Sequence, residues 1–319
     1  MINFGIDNIN ASGTMATEES NYVNPFTDYG FKRIFGQEDS KIILRDFLNS
    51  LFNGDPFIET VEEIQYLDKE QIGELKEERI EIYDIYCKIS GNKRIIVEMQ
   101  NHHQQNYRKR SLIYMGRAIN SQAVRGENYE YEFEPVIAVH LANFKIPGGK
   151  PKAVTKVVPV DVDDNEPYFP EICWYFIQFP YVNQTDITKC ETPTEEWLYL
   201  IKNHKEMDRI AHIKPSPAFL ELERLANISN LSPEQKRLYD ASLKYYRDRN
   251  HEYNSALNLG YQEGRAKGMA EGRAEGRAEG RSEVIKESIA NMKDLGMNSD
   301  AIIKVLSLSP DEVKKFLCN

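Results

Sequence analysis

The feature that most constrains the fold is a pair of largely apolar, strand-like segments separated by a short turn. The first, RIEIYDIYCKI, covers residues 79–89, and the second, RIIVEMQ, covers residues 94–100. The residues between them, Ser90-Gly91-Asn92-Lys93, favour a turn. Together these patterns predict a β-hairpin.

Three polar side chains of this hairpin are candidates for a functional site. Asp84 lies within the apolar run YDIYC, and Glu98 and Gln100 lie at the end of the second segment. Side chains two residues apart on a strand share a face, so Glu98 and Gln100 project together while Met99 points into the core. The polar groups are either one arm of a site or the solvent-facing positions of an ordinary strand.

The length of the connecting loop decides whether Asp84 can join the other polar side chains. A two-residue Gly91-Asn92 turn would place Asp84 opposite Met99, on the wrong face. A three-residue loop, or one bulge, would place Asp84 across from Glu98 or Gln100. A site on this hairpin therefore requires an odd loop or a bulge.

The order of the remaining patterns indicates an α/β fold. The expected elements are a helical region broken near Gly36, strands at 61–67, 135–144 and 172–179, a helix at 104–124, and helices from Thr192 onward. Ser/Thr-Pro pairs at 192, 232 and 309 mark three helix starts. We therefore predict a mixed sheet with a C-terminal α-helical annex.

Composition excludes several classes of protein. The 319 residues are 41% hydrophobic and 28% charged, as in a globular protein, and no apolar run approaches the roughly 20 residues of a membrane span. Residues 1–23 are polar and lack the pattern of a signal peptide, so we expect a disordered leader. The 4 cysteines form no CxxC pair, which favours free thiols in a reducing cytoplasm over a zinc site.

The net charge of −10 bears on any interaction with nucleic acid. An acidic chain needs a local basic surface to bind phosphates, and residues 99–126 contain no Asp or Glu. The positive side chains of this segment are Arg108, Lys109, Arg110, Arg117 and Arg125. The segment is either a nucleic-acid surface or a charge-poor stretch that arose by chance.

A glycine repeat of period four, GYQEGRAKGMAEGRAEGRAEGRSE, covers residues 260–283. A helix there would stack like charges four residues apart and carry many glycines, and both features disfavour an isolated helix. The repeat is therefore either a pairing helix that forms a homo-oligomer or a mobile tether. The following MNSDAIIKVLSLSPDEVKKFL predicts two short helices, as a small helix-turn-helix or as a packing cap.

Two carboxylates held together on a hairpin suit the cleavage of a phosphodiester with a divalent metal. Mg²⁺ prefers hard oxygen ligands and accepts one or two carboxylates with waters and phosphate oxygens. It lowers the pKa of a bound water and offsets charge that develops on phosphorus. Asp84, Glu98 and Gln100 are the candidate catalytic residues, and the Met99 backbone carbonyl is a further candidate metal ligand.

The order of several longer segments carries a family resemblance. These segments are TDYGFKRIFG, ILRDFLNSLF, YDIYCKISGNKRIIVEMQ, YRKRSLIYMGRAI and EEWLYLIK, within roughly residues 24–205. Together they resemble the Rpn branch (recombination-promoting nuclease, putative transposase) of the PD-(D/E)XK nuclease superfamily. The resemblance implies a restriction-endonuclease-like α-β-β-β-α-β core with a mixed sheet.

The resemblance also implies roles for the polar residues of the hairpin. Asp84 and Glu98 match the aspartate and glutamate of the family motif, both metal ligands. Gln100 stands where the superfamily has a lysine, although glutamine occurs there in the branch that the chain resembles. A lysine supplies positive charge to orient the attacking water or stabilise the phosphate, whereas Gln100 can only form hydrogen bonds.

The resemblance also implies roles for residues of two predicted helices. Asp28 resembles the acidic residue that often completes the metal site, although a helix N-terminal cap explains it nearly as well. Arg110 and Tyr114 are four residues apart and either face the scissile phosphate or have a structural role on the helix surface. With Arg108 and Arg117 they are the candidate nucleic-acid-binding residues.

The expected function is that of an Mg²⁺-dependent DNA endonuclease, with Mn²⁺ as an alternative ion, in recombination or transposase-like activity. The alternatives are a catalytically weak nuclease-fold module that binds DNA and a self-associating regulator built on the repeat. The expected domains are a leader at 1–23, a nuclease-like domain at 24–190, a helical annex at 191–258, the repeat as a linker or helix at 259–284, and a helical pair at 285–319.

Overall fold

The computed structural model describes residues 20–67, 70–71, 81–104, 106–122 and 132–317. The chain divides into two compact units, Met1–Asn250 and His251–Asn319. The first unit contains the predicted hairpin and the sheet, and the second contains the glycine repeat and the predicted pair of short helices.

Within the described residues, the first unit is built on a mixed six-stranded sheet. The strands of the unit are β1 Ile64–Tyr66, β2 Glu70–Gln71, β3 Glu81–Ile82, β4 Ile85–Ile89, β5 Lys93–Gln100, β6 Val136–Ala142, β7 Val154–Val157 and β8 Ile172–Gln178. The main sheet has the order β1-β4-β5-β6-β8-β7, and β2 pairs with β3 separately. β5, β6 and β8 are parallel neighbours, whereas β1, β4 and β7 pair antiparallel with their neighbours.

The hairpin has the odd loop that a site on one face requires. Ile89 pairs with Lys93, so three residues form the connection, and Gly91 and Asn92 adopt left-handed φ angles of 70° and 57°. Ile85 pairs with Val97, and the same register continued by one residue sets Asp84 against Glu98. The prediction of an odd loop is therefore confirmed.

The first strand of the hairpin is shorter than the predicted segment 79–89. The chain bends at Asp84, so β4 begins only at Ile85, while β3 before the bend pairs with β2. Residues 79 and 80 lie outside the described residues. The bend matters for function, because it puts Asp84 at the end of the β4–β5 strand pairing rather than in the middle of it.

Helices of the first unit begin and end largely where the sequence predicts. They are α1 Asp28–Phe35, α2 Lys41–Phe52, α3 Tyr107–Asn120, α4 Pro193–Lys202, α5 Met207–Ile213, α6 Pro217–Ala226 and the start of α7 Pro233–Asp294. Gly36 ends α1, and the Thr192 side chain caps α4 by accepting the Glu195 N–H at 3.2 Å. In the described ranges, no helix combines the length and the apolar composition that crossing a membrane requires.

Two hydrophobic layers cover the sheet. Side chains of α1, α2, α4 and α6 pack on the face that includes Val97 and Met99, and α3 packs on the opposite face against Ile96. Because side chains alternate along β5, Glu98 lies on the same face as Ile96, beneath α3. Met99 points into the other layer, as predicted, and is 8% exposed.

The expected leader at 1–23 ends earlier than predicted. Tyr22 and Val23 are buried, and the Val23 N–H donates to the Ala226 carbonyl at 2.8 Å. The Ile228 N–H donates to the Asn21 carbonyl, also at 2.8 Å, so these residues belong to the folded unit. The part of the expected leader at 1–19 lies outside the described residues.

The second unit is helical. The repeat at 260–283 lies within α7, and the predicted pair of short helices is confirmed as α8 Ser299–Leu306 and α9 Pro310–Leu317. Ser307, with a φ of 50°, ends α8 in the left-handed conformation. Among the described residues of this unit, Ile285, Ile289, Ile302 and Leu308 are buried.

Candidate active site

Asp84 and Glu98 are held together across the hairpin by the backbone. The Asp84 N–H donates to Glu98 Oε1 at 3.2 Å, and the Met99 N–H donates to Asp84 Oδ2 at 2.9 Å. Each carboxylate therefore accepts a hydrogen bond from the opposite arm of the hairpin, which restricts both side chains. Glu98 is 2% exposed, whereas Asp84 is partly buried and lines a surface pocket.

Burial raises the pKa of both carboxyl groups. The pKa of Glu98 lies well above its usual range, first because of burial and then because of the nearby Asp84 charge. Burial also raises the pKa of Asp84, against the opposing effects of the Met99 N–H and of Lys32. The Arg110 guanidinium favours the charged form of both groups. Two adjacent acids that resist simultaneous ionisation are typical of a functional site.

A row of hydrogen-bonded side chains runs from α3 to Gln100, at the end of β5. Arg110 donates through Nη1 to Gln104 Oε1 at 3.0 Å, and Gln104 Nε2 donates to Gln100 Oε1 at 2.9 Å. The Gln100 side chain lies two positions along β5 from Glu98, on the same face of the strand, and favours the charged form of the Glu98 carboxyl group. Arg110 also donates through Nε to Tyr114 Oη at 2.7 Å. The structure thus brings the predicted Arg110 and Tyr114 together with the hairpin residues.

The α3 residues that were predicted to contact nucleic acid lie in different environments. Tyr114 is 3% exposed, and its backbone carbonyl accepts from Tyr83 Oη at 3.2 Å, so its ring lies in the core rather than on the helix surface. Arg108 is exposed, and its guanidinium lies beside Gly148, where an added Cβ would approach Nη2 to 2.8 Å. Arg117 is partly buried in the last turn of the helix.

Asp28 lines the same pocket as Asp84 but pairs elsewhere. It is the exposed first residue of α1 and forms an ion pair with Lys32 at 2.7 Å. The N-cap is Thr27, whose side chain accepts the Gly30 N–H at 3.0 Å, so Asp28 is not the cap that the alternative explanation required. Among the described residues, no three His, Cys, Asp or Glu side chains are grouped to hold a metal ion, and the Asp28 charge acts on Asp84 by raising the pKa of its carboxyl group.

An open pocket of about 340 Å³ lies beside Asp84. Part of its wall comes from α7, a contribution that the local sequence pattern does not reveal. The lining residues from this helix are Ser242, Tyr245, Tyr246 and Arg249. The Tyr29 N–H donates to Ser242 Oγ at 3.1 Å, which anchors this part of α7 to α1.

Two buried polar residues next to Glu98 were not singled out from the sequence. His140 on β6 is the register partner of Glu98, and its ring stacks on Phe176 with centroids 5.3 Å apart. Burial lowers the pKa of His140 to about 3, so its imidazole is neutral near neutral pH. Tyr107 of α3 packs edge-on against His140 at 5.7 Å. A pairing register between β5 and β6 would have been needed to find His140.

The donor atoms of the hairpin fit a small, hard divalent cation. Asp84 and Glu98 supply carboxylate oxygens, which Mg²⁺ prefers, and two protein carboxylates match the number that it usually takes alongside waters and phosphate oxygens. The pKa of each carboxyl group is raised, chiefly by burial, and a bound cation would favour the charged forms. The Met99 carbonyl is a further oxygen donor at the same strand end.

The fold and the hairpin together define a class of protein. A mixed sheet carries an antiparallel hairpin with Asp84 and Glu98 paired at its open end, and helices cover both of its faces. This is the α/β arrangement of PD-(D/E)XK nucleases, and the predicted fold class is confirmed.

The comparison with protein families agrees with this class. Residues 25–256 match the PD-(D/E)XK nuclease family transposases, and the chain belongs to this family. No curated protein and no solved structure matches the chain. Membership indicates a nuclease or transposase-like function, for which DNA is the implied substrate, and nucleases of this class typically use divalent metals such as Mg²⁺.

Proposed function

We propose that the protein is an Mg²⁺-dependent DNA endonuclease that hydrolyses phosphodiester bonds. The observation that carries this proposal is the reciprocal backbone anchoring of Asp84 and Glu98, which holds two hard oxygen donors at one strand end. The pocket beside Asp84 gives a substrate strand access to that end. Family membership supports the reaction class.

In the proposed mechanism, Asp84, Glu98 and the Met99 carbonyl hold the divalent ion, for which Mn²⁺ can substitute. Such an ion, when bound, lowers the pKa of a coordinated water and offsets charge on the phosphate. Arg110 supplies positive charge that favours the ionised form of both carboxylates. Gln100 contributes an amide where the superfamily has a lysine, so it positions groups by hydrogen bonding rather than by charge.

The DNA-binding surface in this proposal is the start of α3. Arg108 and Lys109 are exposed there, beside the site that Arg110 joins. A chain with a net charge of −10 binds phosphates only through such a local positive surface, so its affinity for DNA should fall with added salt. Arg117, two turns further along the helix, is the proposed outer contact of the same surface.

The test is cleavage of supercoiled plasmid by the full chain in Mg²⁺ and in EDTA. Asp84→Ala and Glu98→Ala should each abolish metal-dependent cleavage, because each removes one of the two anchored carboxylates. Asp28→Ala should retain most of the activity, because Asp28 pairs with Lys32 outside the carboxylate pair. Cleavage by both hairpin variants at the wild-type rate would contradict the proposal.

A second candidate is a nuclease-fold module that binds DNA with weak or absent catalysis. The observation that favours it is the uncharged Gln100, together with the hydrogen bonds that hold Arg110 on Tyr114 and Gln104. Such a protein would bind DNA in EDTA, would not cleave it with Mg²⁺, and would lose affinity when Arg108 and Arg110 are both replaced by alanine. Metal-dependent cleavage that is lost in Asp84→Ala excludes this candidate.

We also propose that the repeat at 260–283 pairs with a second copy of the chain, forming a homo-oligomer. Residues 251–281 of α7 are exposed, and a Cβ added at any repeat glycine would meet nothing within 4 Å among the described residues. A glycine row along the helix allows close approach of a second helix, and a suitable register places Arg columns opposite Glu columns.

The repeat proposal predicts opposite effects of one set of substitutions. Changing Gly268, Gly272 and Gly276 to alanine should stabilise the helix by up to about 1 kcal/mol per site, because alanine favours helix more than glycine. The same changes should shift the molar mass by light scattering toward the monomer, because they widen the closest approach. An unchanged molar mass, or a wild type that is monomeric at the highest concentration, would refute pairing through this face.

We propose the cytoplasm as the compartment, and DNA recombination or transposase-like activity as the setting. Cys87, Cys173 and Cys190 are buried free thiols, which a reducing compartment maintains. Cys318 lies outside the described residues. The biological setting rests on the family alone, and loss of recombination in cells that carry Asp84→Ala is the outcome expected if cleavage drives it.

A further inference from the structure

The Gln100 side chain occupies the lysine position of the superfamily, but it does not act alone. We propose that Gln104 is a positioning residue that connects Arg110 to Gln100, so that a polarised Gln100 amide provides the hydrogen-bond donor that a lysine would provide. This inference rests on the proposed nuclease function for its catalytic meaning. Its geometric part, an amide link between a guanidinium and the strand end, does not depend on that function.

The direction of each hydrogen bond follows from the chemistry of arginine. A guanidinium carries donors and no acceptor, so Gln104 must present its Oε1 to Arg110. The amide nitrogen of Gln104 then faces Gln100 and donates to Oε1 of that side chain. The Gln100 oxygen is thereby engaged, which leaves the Gln100 nitrogen as the donor on the face of β5 that it shares with Glu98. Arg110 therefore fixes the orientation of both glutamine amide groups, because flipping either amide would break a hydrogen bond.

The first member of this row is itself held in place. Tyr114 Oη accepts from Arg110 Nε at 2.7 Å, and the guanidinium carbon lies 4.9 Å from the centroid of the Tyr114 ring. Tyr114 is 3% exposed and lies among core residues, so it is a rigid support for the charge. Gln104 lies just before α3, and its side chain reaches both Arg110 and Gln100.

Polarisation gives the row a chemical role that an isolated glutamine lacks. Hydrogen bonds that begin at a charged donor are stronger than neutral ones, and successive bonds in a row polarise one another. The donor atom at the end of this row is Gln100 Nε2, on the face of β5 that Gln100 shares with Glu98. A lysine at the same position would donate from a charged nitrogen. In this row the positive charge is on Arg110, and it acts on Gln100 through the hydrogen bonds of Gln104.

Two variants of Gln104 in the full chain break this row at different links. Gln104→Ala removes both hydrogen bonds, whereas Gln104→Glu keeps an acceptor for Arg110 and loses the donor to Gln100. Plasmid cleavage in Mg²⁺ should show a fall in kcat of about 10-fold for both variants, with KM changed by less than about 2-fold, since the donor acts on the reacting groups. Gln65→Ala, at an exposed position of β1, is the matched control and should leave kcat unchanged.

Repeating Gln104→Ala in a protein that also carries Gln100→Lys distinguishes the proposed role of Gln104 from a purely structural one. Gln100→Lys places a charged donor directly at the strand end, so the loss caused by Gln104→Ala should shrink to less than about 2-fold in that background. If Gln104→Ala costs the same factor in both backgrounds, or costs nothing in the wild type, the proposed row is wrong.

A measurement without turnover tests the geometric link. In a ¹⁵N-resolved NMR spectrum, the two Gln100 side-chain amide protons should have distinct, protected signals that move toward free-amide positions in Gln104→Ala and in Arg110→Met. Signals that are unchanged in both variants would overturn the link. A wild-type protein that fails to cleave DNA would contradict the proposed function instead, because the NMR result would still decide the link by itself.

Discussion

Replacing Glu98 by glutamine should make the protein more stable at pH 8 in EDTA. Opposite positions of an antiparallel pair have Cβ atoms about 5 Å apart, and two charges at that distance repel by roughly 3 kcal/mol at an effective dielectric constant of about 20. The substitution removes this repulsion and the cost of burying the Glu98 charge, and it keeps an oxygen for the Asp84 N–H at the position of Oε1. Because Arg110 offsets part of the repulsion, we expect a gain of about 1–3 kcal/mol in the free energy of unfolding.

The gain should depend on pH with a definite sign. The pKa of Glu98 is raised in the folded protein, so the folded state holds a proton that the unfolded state has already released. The stability of the wild type should therefore fall as the pH rises from the unfolded pKa through the folded one. The advantage of Glu98→Gln should be small at pH 4 and should grow toward pH 8. Thermal and urea unfolding across this range measure it.

Glu134 offers a matched control of opposite sign. Although burial opposes the effect, hydrogen bonds from Lys88 and Arg94 hold the pKa of Glu134 below its usual value. Glu134→Gln should therefore destabilise the protein at pH 8, and the loss should disappear as the pH falls through the folded pKa. If Glu98→Gln lowers stability at pH 8, or if its effect does not vary with pH, the electrostatic account of the carboxylate pair is refuted.

Three further perturbations test the supports of the site and the core. Burial raises the pKa of Asp84 and Glu98 and Arg110 opposes this, so Arg110→Met should move the acidic limb of the pH–rate profile to higher pH; an unmoved limb would contradict the assignment. Tyr114→Phe removes an acceptor of Arg110 and should lower kcat several-fold while costing only about 1 kcal/mol of unfolding free energy, as urea titration would show. Phe47→Ala, at a residue with 0% exposure, should cost about 3–5 kcal/mol in the same titration, and a cost near zero would mean that the core is misplaced.

The hairpin could be predicted from the sequence because its constraints are local. Strand alternation puts Glu98 and Gln100 on one face, and the parity of the loop then decides where Asp84 falls. Those two rules led to the requirement for an odd loop or a bulge and to the buried direction of Met99. The structure has a three-residue loop and a buried Met99. The bend at Asp84 could not be predicted in this way, because it arises where the chain leaves one strand ladder for another.

The supporting residues of the site could not be predicted, because their partners are distant in the chain or lie in irregular segments. Gln104 precedes a helix, where no periodicity indicates the direction of a side chain. His140 lies in an apolar strand, and only the parallel register with Glu98 gives it meaning. Tyr22 and Val23 follow a polar leader, and their burial depends on Ala226 and its neighbours near the end of the folded unit.

The central claim is that Asp84 and Glu98 together hold one divalent ion, and calorimetric titration of the protein with Mg²⁺ tests it most directly. Both pKa values are raised, chiefly by burial, so binding should release protons, and the measured heat should change with the ionisation enthalpy of the buffer. We predict one bound ion for the wild type and no binding at this site in Asp84→Asn or Glu98→Gln. Binding of Mg²⁺ by both variants with wild-type affinity and wild-type proton release would contradict the account.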